Sequence, residues 1–229
     1  MDGFFRDFSG VGDLVNNVLM RIIPALLCIT IHELAHGYTA YKLGDNTAKD
    51  MGRLTLNPIK HIDPIGLLMM LVMRFGWAKP VPVNMRNFKH PKWYMAVTAL
   101  AGPVSNIILA MFFMLLFGLL FIALTGFAAG PMIAEIIFNT VYISIALAIF
   151  NMLPLPPLDG SKVLFSLLPE NMYYKLMRYE RFGMIALLVI VCLQMFFNIN
   201  IIGRIIVYPT EAILNSFGTL FDFTFRLVN

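Results

Sequence analysis

The chain has 229 residues, 59% of them in the hydrophobic set and 13% charged, with a mean hydropathy of +0.77. A water-soluble domain carries about a quarter charged residues, so these figures exclude one, and a chain of this length leaves no room for a sizeable soluble unit beside spans of ~20 apolar residues each. The formal net charge of +4 does not indicate nucleic acid, because the 17 Lys and Arg sit in loops flanking apolar runs, and the two cysteines, Cys28 and Cys192, lie inside apolar runs and exclude a disulfide framework.

Residues 1–13 mix Phe4, Phe5 and Phe8 with Asp2, Arg6 and Asp7, which predicts an interfacial segment and lacks the features of a removable signal peptide. Residues 14–43 form a helix-compatible apolar run longer than a bilayer core needs, and it carries Arg21, His32, Glu33 and His36. Arg21 can snorkel towards an interface, whereas the other three lie deep enough to require partners. Basic loops follow at 44–61 and 76–92. Between them, residues 62–75 are apolar but broken by Pro64 and Gly66 and too short for a span, which predicts a re-entrant segment. Residues 77–84, with Pro80-Val81-Pro82-Val83, predict an extended edge strand, since proline cannot donate to a ladder.

Further spans are predicted at 93–124, 133–153, 182–200 and 205–225, the last interrupted by Glu211 and Asp222. The fold class expected is therefore an all-α polytopic membrane protein. It has about five transmembrane helices plus a re-entrant or β-hairpin segment between the first and second core spans. The chain divides into the interfacial segment 1–13, a catalytic membrane core 14–168 with the re-entrant loop 62–84, and two accessory C-terminal transmembrane helices within 169–229. Placing the basic loops in the cytoplasm puts the N-terminus outside and brings His32, His36 and Asp159 to one level near the cytoplasmic face.

His32-Glu33-Leu34-Ala35-His36 is an HExxH pattern. On a helix the two imidazoles share a face and hold one zinc ion, with Glu33 placed as general base for water that the ion acidifies. The plain alternative is a polar pair satisfied by neighbouring helices. A third ligand is expected, and Asp159 is the better candidate: it follows Pro154, Pro156 and Pro157, which block helix and fix the approach of the carboxylate, and it precedes Gly160, which permits a tight turn. Its alternative role is a helix N-cap. His61 and His90 read as loop-packing residues.

The HExxH pentapeptide together with Asn151-Met152-Leu153-Pro154-Leu155-Pro156-Pro157-Leu158-Asp159-Gly160 resembles the site-2 protease family of intramembrane zinc metalloproteases. The chain is most similar to the small prokaryotic branch without a PDZ domain, with Ser161 where some relatives have a second Gly. The resemblance runs from about residue 29 to 166. It implies one Zn2+ per chain on His32, His36 and Asp159, and Glu33 as general base. It further implies hydrolysis of peptide bonds within or near transmembrane segments of membrane-protein substrates. The expected setting is a multi-pass protein of a prokaryotic cell membrane, in contact with the lipid bilayer and with no nucleic-acid partner, its active site towards the cytoplasmic side.

Ala101-Gly102-Pro103-Val104-Ser105-Asn106 resembles the family's third motif region, and Asn106 carries two readings: an amide that bonds a neighbouring helix, or a catalytic donor to the oxyanion. Because a helical substrate cannot expose its scissile carbonyl, the Pro80–Val83 edge is expected to pair with an unwound segment by strand addition. Two other classes compete. A metal-binding protein or transporter would use the same ligands for an ion in transit, but would need more polar residues across the bilayer, and an inactive relative would only bind membrane segments.

Overall fold

Prolines open several of the helices. Pro64, Pro91 and Pro131 stand in first turns, where a missing N–H costs nothing and a fixed φ favours the helix. The computed structural model describes residues 11–73, 76–126, 128–197 and 201–228, and these are mainly helical. The helices are α1 (Val11–Lys42), α2 (Thr47–Asp50), α3 (Pro64–Met73), α4 (Pro91–Thr125), α5 (Gly130–Asn151), α6 (Asp159–Ser166), α7 (Glu170–Arg178), α8 (Glu180–Phe197) and α9 (Ile201–Val228). Most of the expected interfacial segment lies outside the described residues.

Among the described residues, α4 and α5 are long and apolar enough to cross a membrane. The 35-residue α4 is the hub, packing on α1, α5, α6 and α9. Its buried positions Met95, Ala99, Gly102, Asn106, Ala110, Met114 and Gly118 recur every three or four residues, which is one helical stripe. Small residues in that stripe let backbones approach: a Cβ on Gly118 would collide with Thr224 Oγ1 of α9. Ala110 and Met114 meet Val141 and Ile145 of α5 in a buried cluster, flanked by Phe117, Phe217 and Phe221.

Pro24 interrupts α1 and cannot bond the Met20 carbonyl, but Asn139 Nδ2 of α5 donates to that carbonyl at 3.1 Å. The break is thus used to join two helices.

Residues 76–84 depart from expectation. No strand forms among the described residues; there is one isolated antiparallel bridge, Ile62 to Ala78, and Lys79 N–H donates to His61 O at 2.9 Å. Beyond it no ladder continues, because Pro80 and Pro82 lack the donors that would extend one. The apolar run before it forms the ten-residue α3, capped by Asp63, whose Oδ1 accepts from Ile65 N–H at 3.0 Å and Gly66 N–H at 2.8 Å.

Candidate metal centre

The i and i+4 spacing places His32 and His36 on one face of α1, their rings edge to face with centroids 4.5 Å apart. Asp159 arrives from the first turn of α6, Leu158 being the N-cap, so its carboxylate is not spent on capping. Gly160 is needed for that approach: a Cβ there would fall on the carbonyls of Met152 and Leu153 at the end of α5. Asp159 Oδ2 lies 3.2 Å from His32 Nε2 and 3.1 Å from His36 Nε2. The three ligating atoms lie within 4.8 Å of one another, and all three residues are buried.

The donor set fits a metal ion. His36 Nδ1 donates to the Thr98 carbonyl at 2.7 Å, which leaves Nε2 with its lone pair towards Asp159. Burial alone would raise the Asp159 carboxyl. The adjoining imidazoles of His32 and His36 and the positive charge of Lys162 outweigh it and hold the group well below the usual carboxylate range. Lys162 Nζ stands 3.6 Å from Asp159 Oδ1 and 3.6 Å from Glu180 Oε1, linking the ligand to the start of α8. Gly102 completes the wall. A Cβ there would sit on His36 Nε2 and 2.6 Å from His32 Cε1, so α4 can pass the imidazoles only with glycine at this turn.

A cleft of about 290 Å³ opens at these groups, lined by His32, Glu33, His36, Val81, Asn151 and Asp159 among others. Glu33 Oε2 accepts from Val81 N–H at 2.7 Å, which ties the extended 79–83 strap to the residue beside the ligands. The strap is held from its other side by Arg53, whose Nη2 donates to the carbonyls of Lys79 (2.8 Å) and Pro80 (3.3 Å). Asp45, with no exposed surface, accepts from Asn84 N–H at 2.7 Å and Asn87 Nδ2 at 2.6 Å.

Asn106 is fully buried and does not line the cleft; its amide faces His32 Nδ1 at 3.1 Å. His61 bonds the Thr55 carbonyl at 2.8 Å, and His90 is the N-cap residue of α4; neither joins the ligand cluster. The groups that the motifs did not announce are the Thr98 carbonyl, the Val81 amide, Lys162 and Glu180. Two are backbone groups, which carry no residue-type signal. Lys162 could be found from its place three residues after Asp159 on a helix.

The pattern of Peptidase family M50 matches residues 122–197. A Bacillus subtilis (strain 168) protein named "Putative zinc metalloprotease YwhC" is 40% identical over 212 residues, covering 88% of this chain and 92% of its own. A protein named "Putative zinc metalloprotease Rip2" from Mycolicibacterium smegmatis is 28% identical over 164 residues, 68% of this chain and 58% of its own. One from Methanocaldococcus jannaschii, "Putative zinc metalloprotease MJ0611", is 44% identical over 66 residues, 29% of this chain and 31% of its own. No solved structure matches the chain.

Proposed function

Because the chain belongs to peptidase family M50, the site-2 proteases, we propose that it is an intramembrane zinc endopeptidase that cuts within or near transmembrane segments of membrane-protein substrates. The observation that carries this reading is the convergence of His32 and His36 from α1 with Asp159 from α6, beside the Glu33 carboxylate and at the floor of one cleft. His32, His36 and Asp159 are the ligands of one zinc ion per chain. Such an ion supplies a Lewis-acid charge that acidifies water to near neutral pH and polarises a peptide carbonyl.

Glu33 is the general base. Val81 N–H holds Oε2, and Oε1, which takes no hydrogen bond among the described residues, accepts a proton from the attacking water and passes it to the departing amide nitrogen. The strap binds the substrate. Pro80 and Pro82 offer no N–H, and Arg53 occupies the Lys79 and Pro80 carbonyls. Val81 and Val83, which line the cleft, carry the backbone groups suited to strand addition by an unwound substrate.

α1, α4, α5, α8 and α9 are the five spans of this reading, with α8 and α9 as the accessory pair after a catalytic core ending near residue 168. α3, about 15 Å long, is re-entrant because it reaches only half the ~30 Å hydrocarbon core. The basic loops set the active site towards the cytoplasmic side of a prokaryotic cell membrane. The test is cleavage of a model single-span protein by the purified enzyme in liposomes, before and after zinc is stripped by a chelator. Cleavage that stops on stripping and returns with stoichiometric zinc is expected; cleavage indifferent to the metal would overturn the reading.

A further inference from the structure

Asn106 and Asp159 address opposite nitrogens of one ring. His32 Nε2 lies beside the Asp159 carboxylate, and Nδ1 lies 3.1 Å from the Asn106 amide nitrogen. Asn106 Oδ1 is buried without a partner, so His32 Nδ1 is the one side-chain contact through which this amide bonds among the described residues. The amide is also absent from the lining of the cleft, whereas a donor to an oxyanion must point an N–H into the space where the substrate carbonyl lies.

An imidazole that gives Nε2 to a metal carries its proton on Nδ1 and needs an acceptor there. The amide's two ends exchange by a half-turn about its terminal torsion, and the proton position on the ring decides which end faces Nδ1. With the proton on Nε2, towards Asp159, the amide nitrogen donates to Nδ1. With the proton on Nδ1, the amide oxygen accepts it. His36 has a fixed counterpart, the Thr98 carbonyl, which can only accept.

We infer that Asn106 is a positioning residue for His32: it orients the ring and holds its Nδ1 proton when Nε2 is given to the ion. Ser144 of α5 braces it, donating from a buried hydroxyl to the Asn106 backbone carbonyl at 2.8 Å. The arrangement joins α1, α4 and α5 behind the ligand, out of reach of the substrate. The inference rests on the zinc reading of the site.

The experiment measures zinc affinity by chelator competition, and the visible spectrum of the cobalt-substituted protein, for wild type, Asn106→Asp and Asn106→Leu, alongside cleavage. Asn106→Asp keeps an oxygen at Nδ1 and should bind zinc about as wild type does. Asn106→Leu should bind it roughly 10–100-fold more weakly, with an altered cobalt spectrum and cleavage partly restored by excess zinc. If the Leu variant does not fold, Asn106→Ala takes its place. Unchanged zinc affinity in the acceptor-free variant, with turnover lost in both it and Asn106→Asp, would overturn the inference in favour of oxyanion donation. Wild-type protein that binds no zinc would instead overturn the underlying reading, and that result is seen before any variant is compared.

Discussion

The two walls of the cleft are built differently. On one side, α1, α4 and α6 bring His32, His36 and Asp159 together across helix interfaces in which Gly102, Thr98 and Asn106 each meet an imidazole, while Gly160 lets α6 pack on the carbonyls of Met152 and Leu153. On the other, the 79–83 strap has no ladder; Arg53 holds two carbonyls, His61 O the Lys79 amide and Glu33 the Val81 amide, Asp45 fixes Asn84 and Asn87 just beyond, and Val81 is buried while Val83 packs on Ala40, Phe88 and Met95. Packed backbone is bistable at best, so the ligand wall is preorganised. The strap's backbone groups are held by side chains rather than by a ladder, which on the proposed reading suits the side that accepts a substrate backbone. On the proposed reading, metal affinity belongs to one wall and substrate affinity to the other.

Gly102→Ala should break the ligand wall most severely. Its Cβ would occupy space held by the His36 ring, so zinc affinity should fall by about 100-fold or more and cleavage with it. Zinc titration with a competing chelator checks this; wild-type affinity in the variant would show that the imidazoles are not confined by α4.

Arg53→Met attacks the strap instead. It removes two charge-assisted bonds to carbonyls, worth about 2 kcal/mol together, while keeping the length of a buried side chain. The expected result is a KM raised roughly tenfold at unchanged zinc content. Steady-state cleavage with metal analysis of the same sample measures both, and a loss of zinc would mean that the walls are not separable.

The smallest effect concerns Asp45. Its burial favours the neutral form, but the Thr47 hydroxyl, the backbone N–H groups of Asn84 and Thr47 and the Asn87 amide outweigh that and lower its carboxyl below the ordinary 3.8. A lowered folded-state value means that the ionised group stabilises the fold fully above pH 3.8, and that this contribution fades as pH falls through the lower folded value. Thermal melting from pH 6 to pH 3 should show that decline in wild type and a flatter one in Asp45→Asn.

Much of the ligand wall was legible in the residues. HExxH lies within one helix, where i and i+4 define a face without tertiary information, and the proline run announces the non-helical chain that delivers Asp159 to the first turn of α6. The spans expected at 93–124 and 133–153 correspond to α4 and α5 to within a few residues, whereas Pro64, read as a break in the 62–75 run, opens α3 because a first-turn proline lacks no needed donor. The strap was legible only in part. Its extended form follows from Pro80 and Pro82, yet an edge strand was expected where only the Ile62–Ala78 bridge forms, because a ladder needs donors on the pairing edge. The Val81–Glu33 and Thr98–His36 bonds use backbone groups, which every residue has, across separations of 48 and 62 positions. Asn106 was visible as a buried amide on a span, but not the ring nitrogen that it would face.

The central claim is that Glu33 performs chemistry at a metal that it does not hold. Purified Glu33→Gln, assayed for bound zinc and for cleavage of a single-span substrate in the same preparation, tests it directly. The account predicts wild-type zinc content with cleavage lowered by about 10³-fold. Near-normal cleavage by that variant, or zinc lost together with activity, would contradict it.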